Sequence, residues 1–154
     1  MSRRVAALAA ALLLGTCGGG EDAPAATAVR DHGLVVRDAW MRPTPPGSAD
    51  AAVYLEIESV DAPLDGLLGG RSDRCLGVIA HRSTIRDDGV AVMTSAGPDD
   101  LRLRPGDTLS FGPNGLHLMC TGVDGPIAAG ERVEVELYFE HREPLGITVA
   151  VEQR

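Results

Sequence analysis

From Leu34 onward the chain is built of short apolar runs broken by turn residues. Ala52-Val-Tyr-Leu-Glu-Ile-Glu58 alternates apolar and polar side chains. So does the stretch from Arg132 to Glu140, where Val133, Val135, Leu137 and Phe139 take one side and mostly charged residues the other. Alternate residues of a strand point to opposite faces, so both stretches predict half-buried strands. The same reading predicts strands from Leu34 to Met41, Leu76 to Thr84, Val90 to Met93, Asp107 to Phe111, Leu116 to Thr121 and Gly146 to Glu152. Pro43-Thr-Pro-Pro-Gly47, Asp87-Asp88-Gly89, Pro105-Gly106 and Gly112-Pro-Asn-Gly115 supply the breaks between them. No stretch carries a helical stripe, no repeat is visible, and there is no sign of a second domain. Eight or nine short strands with frequent turns predict an all-β, antiparallel sandwich or barrel.

The N-terminus follows a different pattern. Arg3 and Arg4 precede an unbroken apolar run from Val5 to Leu14, and small residues follow it. That order is the mark of a secretory signal, and the run is too short to span a bilayer, which takes about 20 residues. Leu14-Gly-Thr-Cys17 resembles the bacterial lipobox, in which the cysteine becomes the lipidated first residue of the mature chain. The alternative is plain secretion with Cys17 removed or idle. Residues 18–33 are rich in Gly, Ala and acidic residues and predict a flexible tether. The expected organisation is a signal and lipobox over residues 1–17, that tether, and one folded domain over residues 34–154, held at an extracytoplasmic membrane face or in the periplasm.

Composition narrows the partners. Only 3% of residues are aromatic, so the core has to rest on Val, Leu, Ile and Ala. The net charge is −8, and it grows more negative once Arg3 and Arg4 are lost, which makes nucleic acid a poor partner.

Four residues stand out as candidate metal ligands: His81, Met93, His117 and Met119. His117 and Met119 are two apart on a predicted strand, so imidazole and thioether project from one face while Leu116 and Leu118 take the other. His81 lies before the Asp87-Asp88-Gly89 turn and Met93 after it. A hairpin there would bring the two near each other. Soft, neutral thioethers favour Cu(I), whereas Zn(II) prefers thiolate, imidazole or carboxylate and Ca(II) needs oxygen ligands. Taken singly, a methionine is more often core filler and a histidine more often a surface residue.

The wording around these residues resembles the periplasmic copper chaperones called PCuAC, which help to load the CuA centre of cytochrome c oxidase. That family carries a histidine, ten further residues before a methionine, and then a His-x-Met segment. Here the histidine is His81, ten residues separate Arg82 from Met93, and His117-Leu-Met119 follows after 23 more. Asp38-Ala-Trp-Met-Arg-Pro-Thr-Pro-Pro-Gly47, Ala51-Ala-Val-Tyr-Leu-Glu-Ile57 and Gly112-Pro-Asn-Gly-Leu-His-Leu-Met119 resemble further family segments, so the likeness runs from Leu34 to Val151. It implies a cupredoxin-like, antiparallel Greek-key barrel or sandwich of about eight strands. It also implies Cu(I) as cargo, with a copper-accepting partner such as an oxidase subunit or another chaperone. Arg82 stands where many members have methionine, and the longer spacing before His117 suggests a loop insertion between Thr94 and Asp100.

Cys75 and Cys120 remain once Cys17 is lipidated, and an oxidising compartment permits a bridge between them. Strand parity opposes it: Cys75 shares a face with His81, while Cys120 faces away from His117 and Met119, so a bulge or strand end has to intervene. Two buried thiols, or Cys120 as a copper ligand, are the alternatives. Trp40, Tyr54, Phe111 and Phe139 are expected in the core, as is Met41, with His32 and His141 solvated.

No Ser-His-Asp arrangement or phosphate-binding glycine loop is legible, so the expected role is binding and transfer rather than catalysis. One rival is a blue-copper electron carrier, which needs a cysteine thiolate with two histidines and a weak axial methionine. The other is a metal-free exported domain for adhesion or assembly.

Overall fold

The computed structural model describes residues 28–154; the expected signal, Cys17 and most of the tether lie outside the described residues. Among the described residues eleven strands follow one another. They are β1 (Val29–Asp31), β2 (Leu34–Met41), β3 (Asp50–Ser59), β4 (Asp65–Ser72), β5 (Cys75–Ile85) and β6 (Ala91–Ser95). Then come β7 (Arg102–Leu103), β8 (Thr108–Phe111), β9 (Leu116–Thr121), β10 (Arg132–Phe139) and β11 (Leu145–Val151). A 3-10 turn, Pro98–Leu101, and the end of β6 occupy the stretch where an insertion was expected.

Seven strands, in the order β2-β11-β10-β4-β5-β9-β3, close into a barrel because β3 pairs back onto β2. Six of the seven seams are antiparallel and one, β11 on β2, is parallel. An odd ring requires this: directions that alternate around seven strands must repeat once. The expected all-β, cupredoxin-like barrel is therefore the fold, with more strands than expected and one parallel seam. β1, β6, β7 and β8 are added at its edges.

The unexpected strands have identifiable causes. In β4, Gly66, Gly69 and Gly70 give the sequence the look of a loop. A Cβ at Gly70 would run into the Glu136 carbonyl, and Gly69 has φ +125° at an irregular step in the pairing with β10. Glycine here marks a close strand approach and a bulge, not a break. β1 is too short to show a period. It is held by a two-residue turn in which His32 (φ 41°) and Gly33 (φ 81°) are both left-handed, as a type I′ hairpin requires. The sheet thus begins at Val29, ahead of the expected tether boundary at residue 33.

The core inside the barrel is aliphatic, as the low aromatic content dictates: Val53, Ile57, Leu103, Leu118, Leu137 and Val149 are fully buried, joined by Met41, Phe111 and Phe139. His32 and His141 are exposed.

Two bulges decide what faces outward. On β2, Arg37 pairs with Glu56 and Trp40 with Tyr54, so three steps on one strand match two on the other. Asp38, at φ 52°, absorbs the extra residue. Parity reverses there, so Ala39 and Met41 enter the core while Trp40 turns out of it. On β5, Ser72 pairs with Cys75 and Gly70 with Val78, again two steps against three. Cys75 turns toward the core and Leu76 is left 90% exposed. That reversal lets Cys75 and Cys120 form a disulfide across 5.7 Å between Cα atoms.

One buried ion pair ties β4 to the β10–β11 connection. Asp65, 2% exposed, accepts hydrogen bonds from Arg142 Nε at 2.6 Å and from the backbone N–H groups of Gly66 and His141 at 2.8 and 3.1 Å. Burial works against its charge, but these hydrogen bonds and the Arg142 charge outweigh it and hold the carboxyl below its usual range. The stabilisation is therefore present above the unfolded value of 3.8 and is lost as pH falls through the lower folded value. Asp65→Asn should destabilise the protein by about 3 kcal/mol at neutral pH, because Arg142 keeps its buried charge without a partner. Thermal unfolding across acid pH should show native and variant converging; parallel curves would contradict this assignment.

Candidate metal centre

β5 lies between β6 and β9 where the candidate ligands gather. Past its bulge, Val78 and Ala80 point into the core, so Ile79 and His81 take the outer face. On β9, Leu116, Leu118 and Cys120 point inward and leave His117 and Met119 outward. His81 pairs directly with His117, and Ile79 with Met119. Across the other seam His81 pairs with Ser95 and Ser83 with Met93. Met93 is thus diagonal to His81, a separation of about 7–8 Å between such positions. His81, Met93, His117 and Met119 all occupy one outer face of three adjacent strands.

The two imidazoles are set differently. Their ring centroids are 6.1 Å apart and their planes tilt by 32°. His117 is 3% exposed, and its Nδ1 lies 3.0 Å from the Gly115 carbonyl oxygen. A carbonyl only accepts, so Nδ1 carries the hydrogen and Nε2 keeps its lone pair for a ligand. The same carbonyl accepts the Ser83 N–H at 3.0 Å, which ties the Gly112–Gly115 turn to β5 beside His81. His81 Nδ1 is buried and has no hydrogen-bond partner among the described residues. A buried nitrogen left unpaired is costly, and a bound cation would satisfy it.

The donor chemistry of this face is soft. Among the described residues no three of His, Cys, Asp and Glu come together. The face offers two imidazoles and two thioethers, a set suited to Cu(I) and unsuited to hard divalent cations. Cys120 is fully buried, faces inward and is bonded to Cys75, so it offers no thiolate here. The blue-copper arrangement therefore has no cysteine thiolate among the described residues. Arg82 also leaves this face: it sits between Thr94 and Leu116 in the pairing, on the side away from His81, and its Nη2 donates to Asp100 at 2.6 Å. Its partner lies in the 3-10 turn, and its side chain stays 40% exposed.

Trp40 and Tyr54 are buried, as expected, but outside the main core cluster and in the surroundings of the site. They pair across β2 and β3 with ring centroids 4.5 Å apart, and both are nearly buried outside the core cluster. Ala52 pairs with Met119, and Tyr54 lines a cleft shared with Met119 and Arg42. The Asp38 bulge is what turns Trp40 outward, and no periodicity in the sequence announces it, whereas Tyr54 lies outward by the regular alternation of β3. A cavity of about 730 Å³ lies elsewhere, between β1 and the β10–β11 connection, and includes none of the four candidate ligands. The site is a shallow face with one aromatic wall.

Comparison with known proteins agrees with this fold. The profile of the LpqE-like lipoprotein family matches residues 34–151. Lxx21020 of Leifsonia xyli subsp. xyli, a protein named as a lipoprotein, is 27% identical over 145 residues, covering 92% of this chain and 85% of its own. Among solved structures, the copper-bound PCuAC domain from PmoF2 superposes with a TM-score of 0.66 at 22% identity, covering 83% of this chain and 99% of that domain. Cu(I)-bound DR1885 from Deinococcus radiodurans gives 0.57 at 22% identity, covering 76% of this chain and 78% of that one.

Proposed function

Since the chain belongs to the LpqE-like family and has the fold of PCuAC domains, we propose that it is an exported lipoprotein that carries Cu(I) on His81, Met93, His117 and Met119 and hands it to a copper-accepting protein. The observation that carries this reading is the directly paired His81 and His117, one with Nδ1 committed to Gly115 and the other with a buried, unpartnered Nδ1, on the face that bears both methionines. Copper-bound and Cu(I)-bound relatives of the same fold support the choice of ion.

Cu(I) is cargo here. Four neutral ligands leave its charge uncompensated, so the ion is held by soft donation rather than by charge, and a partner's donors can replace these ligands one at a time. Binding requires neutral imidazole and should weaken in acid. The resemblance to PCuAC points to the CuA centre of cytochrome c oxidase as recipient, and the family name to an anchor at Cys17.

X-ray absorption at the copper edge of the loaded protein should show nitrogen and sulfur neighbours together. A shell of nitrogen and oxygen alone would remove the methionines from the site. Copper appearing in a metal-free CuA domain mixed with the loaded protein tests the recipient. Movement of a Cys17→Ser variant from the membrane to the soluble fraction tests the anchor.

A further inference from the structure

We propose that Cu(I) leaves across β6, with Met93 the first ligand released and His117 the last. This rests on the copper-carrier reading above. β6 is the outermost strand on this side: it pairs with β5, and its other edge takes no strand among the described residues. Met93 is 51% exposed, His81 and Met119 are partly buried, and His117 is 3% exposed. On the opposite side Ala52 and Tyr54 of β3 stand beside β9 with Trp40 against Tyr54, and the cleft there reaches Met119 but none of the other three candidate ligands. His117 is further held by the hydrogen bond from its Nδ1 to Gly115. Donors of an acceptor therefore reach the ion most readily where Met93, the most exposed of the four, stands.

The exchange is a ligand substitution. The bond from the Met93 sulfur to copper breaks as a soft donor of the acceptor bonds to the ion. Copper remains Cu(I) throughout, and no electron is transferred. With Met93 gone the ion keeps three ligands, of which the two partly buried ones, His81 and Met119, precede the fully enclosed His117. The dissociating sulfur stays attached to an edge strand that can swing without disturbing the barrel, whereas moving Met119 would displace β9 from between β3 and β5.

The test uses the full chain, kept soluble in mild detergent and loaded with Cu(I), and follows transfer to excess bathocuproine disulfonate by absorbance in a stopped-flow mixer. Met93→Leu and Met119→Leu are compared, since Leu and Met are close in volume and the fold should survive both changes. Met93→Leu should raise the transfer rate at least about tenfold, whereas Met119→Leu should weaken equilibrium affinity more while speeding transfer less. Equal acceleration by the two changes, or a larger one from Met119→Leu, overturns the release order while leaving the copper-carrier reading standing. A native protein that takes up no Cu(I) overturns both.

Discussion

A Cys75→Ser, Cys120→Ser variant should unfold with about 4 kcal/mol less stability than the native protein, the chain-entropy value for a loop of this size. The bridge closes 45 residues of sequence and crosses from the start of β5 to β9. The closed loop contains β6, the 3-10 turn, β7 and β8, so the bridge removes much of the freedom the unfolded chain would otherwise regain. Cys120 is fully buried in the core beneath Met119, and serine there adds a buried hydroxyl to the loss. Denaturant titration of oxidised, reduced and doubly substituted protein should place the last two together, well below the first. A substituted protein as stable as the native one would mean that barrel closure alone sets the stability. The same variant should hold copper less firmly, because β5 and β9 carry three of the four candidate ligands.

The second large effect is on binding. His117→Ala should lower Cu(I) affinity by more than about a hundredfold, beyond the range typical of losing a partner that only supports a ligand. His117 presents a preset tautomer: Gly115 fixes its Nδ1–H, so no reorganisation is needed when the ion arrives. His81→Ala should weaken binding comparably, yet raise the stability of the copper-free protein or leave it unchanged, since the native side chain buries an unpaired Nδ1. That opposition between stability and binding distinguishes a ligand from a packing residue. If His81→Ala instead destabilised the copper-free protein by several kcal/mol, the ring would be structural.

Much of this arrangement is legible in the sequence because it depends on parity. The strands of Leu34–Met41 and Leu116–Thr121 have the expected boundaries, and the outward projection of His117 and Met119 follows from their spacing. The β5–β6 hairpin also follows from the Asp87-Asp88-Gly89 turn, and it brings Met93 near His81, on the diagonal. What the sequence hides are the places where parity breaks. The bulge at Asp38 sends Trp40 out of the core and beside the site, and the bulge ahead of Val78 lets Cys75 meet Cys120. Each needs one residue to be skipped in a pairing, and the cost or gain of that depends on both strands, so neither strand alone records it. β4 stays hidden for a related reason: its glycines answer to the approach of Glu136 on a strand far along the chain. The parallel seam between β2 and β11 follows only from the number of strands in the ring.

The most direct test of the central claim is a titration of the full chain in mild detergent with Cu(I) against a chromophoric competitor, run beside a His117→Ala, Met119→Ala variant. The face of β5, β6 and β9 predicts one equivalent held tightly by the native protein and largely lost from the variant. A native protein that cannot compete for Cu(I) would contradict the copper reading and favour an exported domain for adhesion or assembly.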